Sequence, residues 1–283
     1  MKIGVLCSRV RVEEKLIFQA LREHGIAFEK IDVRNLTFCF GAAKSLDCDA
    51  VLVRCLSHSR AICAARLLEM QGVRVINTYD VITTCGDKVL TTLALQDRGI
   101  PTPRTAIALS EQTAMTAVEK IGYPVVLKPS IGSWGRLLAK LNDRQAAEAV
   151  IEYKQALDKP QHTPFYIQEY VDKPGRDIRT MVVGNKTVYA MYRKSSHWIT
   201  NTARGGDVVS LPVTPEIDYL SRAAADAVGG GIVAVDLLET TAGSLLVNEV
   251  NHTPEFHGAM QAVDVDIAGK MVDYVLKIAE EEK

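Results

Sequence analysis

The sequence predicts a mixed α/β chain in three parts: a small parallel α/β domain, a compact α+β lobe, and a largely antiparallel sheet with flanking helices. Three observations predict it. Strand-like apolar runs alternate with helical patterns from residue 1 to about 86, as parallel α/β units require. A helix from Asp87 then stops at Gly99 and gives way to the rigid Pro101/Pro103 connection, where a new unit begins. From about residue 165 strand follows strand, with helices only near 215–228 and from about Val265.

In chain order the first domain, residues 1–86, reads "KIGVLC", "VEEKLIFQALREHG", "IAFEKIDV", "DAVLVRC", "SRAICAARLLEMQG" and "VRVIN". Its first helix places Leu16, Ile17, Ala20 and Leu21 on one face and ends at Gly25, a usual C-terminal stop. The second domain, 87–165, takes the helix from Asp87, then "TAIAL", a helix from Ser110, "YPVVLKPSI", a glycine-bearing turn, "RLLAKL" and a helix from Asp143. The third, 166–283, follows the polar stretch "LDKPQHTP" and carries "FYIQEYV", "RDIRTMVVG", "KTVYAMYRK", "GIVAVDLLE" and "SLLVNEVNHTPEF".

Composition narrows the class. At 283 residues and 47% hydrophobic, the chain is globular with room for a large core. A formal charge of -1 gives no global field for nucleic acid or an anionic membrane. No apolar run is long enough to span a bilayer, and "MKIGVLCSR" reads as a first strand rather than a signal peptide, so a cytoplasmic enzyme is expected. Cys7, Cys39, Cys48, Cys55, Cys63 and Cys85 form no C-x-x-C pair and are expected as buried thiols in a reducing compartment.

Several stretches carry polar groups where an ordinary strand would not. In "SLLVNEVNHTPEF" a strand period of two puts Glu249 and Asn251 on one face, and Asp236 interrupts the apolar "GIVAVDLLE". Two readings stay open at this point: a cross-strand polar pair closed by water, or a hard cation held by Asp236, Glu249 and Asn251, which all-oxygen ligands would make magnesium or manganese. Lys128 ends an apolar strand before a turn with Gly132 and Gly135, which suits phosphate but equally a hairpin with a surface lysine. Gln168, Glu169, Tyr170 and Val171 end another strand, whose backbone can read a flat adenine while the acid accepts from ribose hydroxyls. Arg176, Asp177, Arg179 and Arg193 suit carboxylate or phosphate, or a solvated salt-bridged face. "HWITNTARGGD" is either a long surface loop or a ligand-gripping one. No G-x-S-x-G or Cys/His nucleophile motif is present.

The order of these pieces, "CGDK", "VLKP", "IGSWGRLLAK", "IQEYVDKPGRDIR", "HWITNTARGG", Asp236 and "NEVN", resembles the ATP-grasp superfamily. Within it the chain, from about residue 3 to 276, is similar to the RimK-like branch and most of all to the LysX/ArgX ligases that attach an amino acid to a LysW-type amino-group carrier protein. The resemblance implies a three-lobed ATP-grasp fold with an N-terminal parallel α/β domain, and ATP between the central and C-terminal lobes. It implies phosphate contacts at Lys88, Lys128 and the loop 132–138, including Gly132, Ser133, Trp134, Gly135 and Arg136. Adenine and ribose fall to Gln168, Glu169, Tyr170 and Val171, with Asp177 and Asn201 completing the nucleotide site. Magnesium, as two ions with manganese the alternative, falls to Asp236, Glu249 and Asn251. Catalytic roles fall to Arg179, Arg193 and Arg204, and the amino acid to Arg193, Arg204, Gly205, His257, Gly258, Ala259 and Met260.

The chemistry implied is formation of an acylphosphate on the carrier's C-terminal glutamate γ-carboxylate, then displacement of phosphate by an α-amine. The partners implied are a small acidic LysW-type carrier and copies of the chain itself in a homodimer or homotetramer, with neither nucleic acid nor membrane. "NTARGG" is similar to the α-aminoadipate enzymes, whereas "TPEFHGAM" is closer to the glutamate type, with His257 where a lysine is common. Activity with α-aminoadipate and a lesser activity with glutamate are therefore expected, serving lysine and also arginine biosynthesis. The rival readings are a RimK-like glutamate ligase that modifies another protein or peptide terminus, and a noncatalytic nucleotide-binding module.

Overall fold

The computed structural model describes residues 1–41, 46–157, 164–200 and 206–281. Strands β1 (Lys2–Cys7), β2 (Ala27–Asp32), β3 (Ala50–Val53) and β4 (Arg74–Ile76) form one parallel sheet in the order β2-β1-β3-β4. Helix α1 (Val12–Glu23) covers one face and α2 (His58–Met70) the other, because β3 is apolar along its whole length and needs cover on both sides. This is the parallel domain expected. It also contains α3 (Tyr79–Gly86), which no sequence pattern announced. "YDVITTCG" is rich in β-branched residues, which are poor helix formers; burial of Val81 and Ile82 and a Thr78 cap accepting from Val81 N at 3.3 Å hold the helix.

Helix α4 (Lys88–Asp97) starts at an Asp87 cap whose carboxylate accepts from Val89 N at 2.8 Å, an arrangement worth about 1 kcal/mol. The central lobe follows: β5 (Thr105–Ala108), α5 (Glu111–Ile121), β6 (Val125–Lys128), β7 (Ala139–Leu141), α6 (Arg144–Ala156) and β8 (Phe165–Glu169). Ser110 and Asp143 cap its helices, as the sequence indicated. The sheet order β5-β8-β6-β7 corrects one boundary. β8, assigned by the 166–283 division to the last lobe, is hydrogen-bonded between β5 and β6 and belongs to the central one. An apolar strand bears no mark of which partners it will choose. The lobe has its own core, from Ala108, Val118 and Val125 to Phe165 and Ile167.

The last lobe is a wholly antiparallel sheet in the order β11-β10-β9-β12-β13, from β9 (Arg176–Val183), β10 (Lys186–Lys194), β11 (Asp207–Leu211), β12 (Ile232–Glu239) and β13 (Leu245–Asn251). β11 was not foreseen; it is an edge strand, "DVVSL", with no buried residue and no alternation of polar and apolar side chains. Helix α7 (Pro215–Ala227) covers one face and α8 (Ile267–Glu280) the other. α8 also packs on α1, so Ile17 and Leu21 share a core with Met181, Phe256, Met271 and Val275. First and last lobes are thus one packed body.

Asn77 fastens that union. Its amide donates to the carbonyls of Ile232 and His252 and accepts from Ile232 N. Gly231 must be glycine beside it: φ is +90°, and a Cβ there would collide with the Asn77 side chain. The cysteine expectation holds only in part. None is in a disulfide, but Cys7 and Cys55 alone are buried, and Cys39 and Cys63 are exposed. Among the described residues, no helix is long and apolar enough to cross a membrane.

Candidate active site

A cleft lies between the central lobe and the body formed by the other two, and most of the sequence-selected residues line it. Lys128 sits at the end of β6, where the strand's apolar burial carries it to 7% exposure, and its Nζ donates to Asn248 Oδ1 at 3.0 Å across the cleft. Burial pushes its ammonium down to about 8, against the raising influence of Glu249. Lys88, at the first position of α4, donates to the Gly132 carbonyl at 2.8 Å and lies 4.0 Å from Glu249. Between them runs the glycine loop. Trp134 and Leu137 take left-handed φ values of 58° and Gly135 takes 62°, a backbone that non-glycine residues adopt only at a cost of about 1–2 kcal/mol each. Gly132, Ser133, Trp134 and Gly135 face the cleft; Arg136 instead lies over the Trp134 ring, 5.1 Å from its centroid.

At the opposite wall, β12 and β13 put Asp236 directly across from Glu249, with Asn251 two residues on along the same face. Asp236 is 7% exposed and accepts from Arg179 Nη1 at 3.2 Å, and Arg193 Nη2 is also 3.2 Å away. Burial still drives its carboxyl above the usual range, the two arginines notwithstanding. Glu249 goes the other way: burial opposes the charge, but Lys88 and Lys128 overcome it and hold the carboxyl low. Arg193, 3% exposed, is gripped by Asp177 through Nε at 2.7 Å and Nη2 at 2.9 Å. Asp177 also accepts from Thr200, whose hydroxyl receives a bond from Lys173 Nζ.

Two observations test the wall for a hard cation. Asp236 and Glu249 stand directly opposite each other with Asn251 two residues on, and all three line the cleft, where carboxylate and amide oxygens can meet a cation. The donor set is all oxygen, and among the described residues no three His, Cys, Asp or Glu converge as a zinc site would require. The residues fit magnesium. Arg179 Nε and Arg193 Nη1 are likewise buried without partners, so both guanidiniums keep donors for an anion.

Both carboxylate oxygens of Glu169 are taken by Arg104, at 2.8 Å from its N and 2.7 Å from its Nε, and Tyr170 N donates to Pro124 O. The acid expected at ribose is therefore engaged within the protein. Gln168, Glu169, Tyr170 and Val171 all line the cleft, and Tyr170 meets Trp198 edge-on at 6.3 Å, with the Lys140 ammonium 3.5 Å from its ring centroid. His257, Gly258 and Ala259 also line the cleft, whereas Met260 does not. Asn201, Arg204 and Gly205 lie outside the described residues.

Residues 85–275 match the RimK-like ATP-grasp domain, and residues 3–84 match the LysX preATP-grasp domain. The chain belongs to the RimK-like ATP-grasp family. It is therefore an ATP-grasp ligase. The glutamate–LysW ligase ArgX of Sulfurisphaera tokodaii is 36% identical over 277 residues, covering 97% of this chain and 98% of its own. The α-aminoadipate–LysW ligase LysX of Saccharolobus solfataricus is also 36% identical, over 223 residues, 78% of this chain and 81% of its own. Among solved structures, the RimK domain ATP-grasp protein of Sphaerobacter thermophilus superposes with a TM-score of 0.82 at 25% identity, covering 98% of this chain and all of that one.

For an ATP-grasp ligase the cationic end of the cleft is well supplied, because Lys88, Lys128, Arg179, Arg193 and Lys173 all reach it. Sequence reasoning missed Lys173 and did not select Asn248, although "YVDKP" and "VNEVN" show both beside chosen residues. It also missed His58 and His252, whose rings stand 5.8 Å apart in the wall nearest the first domain. Burial pushes His252 down to about 4 and lowers His58 as well, so both are neutral at pH 7. Gly86 makes room for them: any Cβ there would run into the His58 ring.

Proposed function

We propose that this ligase joins the α-amino group of α-aminoadipate, and of glutamate at lower efficiency, to the C-terminal glutamate γ-carboxylate of a small acidic LysW-type carrier, in lysine and also arginine biosynthesis. One observation carries the reading. A cleft that holds lysines for phosphate, a carboxylate pair suited to a hard cation and two arginines with spare donors can bring a nucleotide, a carboxylate and an amino acid together. The matching of both ArgX and LysX at 36% identity supports a dicarboxylic amino acid and leaves both chain lengths admissible.

In this reading Lys88 and Lys128 hold the phosphates of ATP, with the loop from Gly132 to Gly135 closing over them. A carrier carboxylate oxygen attacks the terminal phosphorus and ADP departs, giving an acylphosphate. The free amine of the amino acid attacks the acyl carbon; the C–O bond to phosphate breaks, and the amine's surplus proton leaves with phosphate or water. Arg179 and Arg193 stabilise charge on the transferring group and on the tetrahedral centre. Magnesium at Asp236, Glu249 and Asn251, as two ions, would neutralise phosphate charge and orient the phosphates in line. No side-chain nucleophile is needed, so catalysis rests on positioning and charge. The homo-oligomer implied by the resemblance stays part of the proposal.

The two amino acids differ by one methylene, which a pocket discriminates by only about 1–3 kcal/mol, or roughly 10–200-fold. With one carrier, kcat/KM is expected to favour α-aminoadipate, with glutamate turnover measurable within about that span. A glutamate preference beyond about a thousandfold would exceed what one methylene supplies and overturn the assignment.

A further inference from the structure

Helix α1 opens with two consecutive glutamates, Glu13 and Glu14, that look like ordinary first-turn acids facing water and complementing the helix dipole. They are 1% and 0% exposed. Glu14 is accounted for by Arg11 and by Arg54 Nε at 3.0 Å. Glu13 has a different set of partners: its Oε1 accepts from Phe256 N at 3.3 Å, His257 N at 3.4 Å and His257 Nδ1 at 2.6 Å. The neighbours of Glu13 grip the same segment, with Arg54 donating to the Pro254 carbonyl and Arg11 to Glu255.

A buried carboxylate with three donors aimed at one oxygen is costly to assemble and is not needed for the helix, whose start Arg11 and Glu14 already close. What it does secure is direction. The His257 ring is half-exposed, lines the cleft, and spends Nδ1 on Glu13, so only Nε2 is left to meet a ligand. We propose that Glu13 is a positioning residue for the amino-acid end of the cleft, orienting His257 and the wall that follows it from the first domain. This deepens the proposed function and rests on it: His257 lines the cleft with Gly258 and Ala259, and the resemblance assigns all three to the amino acid.

Glu13→Gln keeps the size and a single acceptor but loses the charge toward the ring; Glu13→Ala loses both. The KM for the amino acid is expected to rise about tenfold in Glu13→Gln, by analogy with loss of the partner that orients a metal-binding histidine, and further in Glu13→Ala, while the KM for ATP stays at the wild-type value. In a double-mutant cycle, Glu13→Gln added to His257→Ala should cost nothing more, because its effect passes through the ring. An unchanged amino-acid KM in Glu13→Gln, or equal additive losses in the double variant, would overturn the inference. Equal rises in both KM values with a lowered melting temperature would do the same, by making the role one of stability. Failure of the wild type to ligate either amino acid would instead count against the proposed function itself.

Discussion

Asp236→Asn is expected to reduce ligation by about a thousandfold or more, the scale on which removing a preorganised electrostatic group acts, while leaving the fold intact. The separation of the two effects follows from its surroundings. Burial already disfavours the Asp236 carboxylate, enough to lift its proton affinity above normal despite Arg179 and Arg193. A neutral amide of the same shape keeps one acceptor oxygen for the arginines, and Arg193 retains its paired bonds to Asp177. Folding therefore loses little, whereas a cation held with Glu249 and Asn251 loses an anionic ligand. Circular dichroism melting and ADP release, measured at ordinary magnesium, check both halves. Full activity would remove Asp236 from the metal site, and a collapsed melt would make it a structural residue.

Arg193→Met should act in the reverse order, on stability first. The guanidinium is 3% exposed and stands between two buried carboxylates, Asp177 and Asp236. Methionine fills much of the space but leaves those charges, among the described residues, with Lys173 and Arg179 as their ion-pair partners. Breaking a buried pair from one side costs about 3–5 kcal/mol, a large part of a typical domain's stability. A urea midpoint lowered accordingly, with little change in slope, is the expected result. A midpoint within experimental error of wild type would mean that the carboxylates are not charged in the folded enzyme.

The cleft was more legible in the sequence than the lobes around it. Asp236, Glu249 and Asn251 could be placed together because a strand's two-residue period fixes which side chains share a face, and the β12–β13 register put the first two directly opposite each other. Lys128 alone was as compatible with a hairpin's surface lysine, and only the order of the motifs around it pointed to the cleft. The lobe assignment of β8 failed because strand pairing is decided by tertiary partners that an apolar run does not reveal. The hold of Arg104 on both oxygens of Glu169, across 65 residues of sequence, was likewise invisible, because nothing in a strand end names its distant partner. Glu13 escaped notice for the same reason: a glutamate in a first helical turn is ordinary until His257, 244 residues away, is seen against it. Local periodicity predicts faces, and only the fold predicts which faces meet.

The central claim is that a carrier carboxylate is phosphorylated before the amine attacks, and isotope transfer tests it most directly. A carrier whose C-terminal glutamate γ-carboxylate is labelled with heavy oxygen is incubated with the enzyme, ATP, magnesium and α-aminoadipate. The account predicts one heavy oxygen in the released inorganic phosphate for each aminoadipyl residue gained by the carrier, with formation of ADP. Gain of the amino acid with no label in phosphate, or labelled oxygen found in AMP, would contradict it.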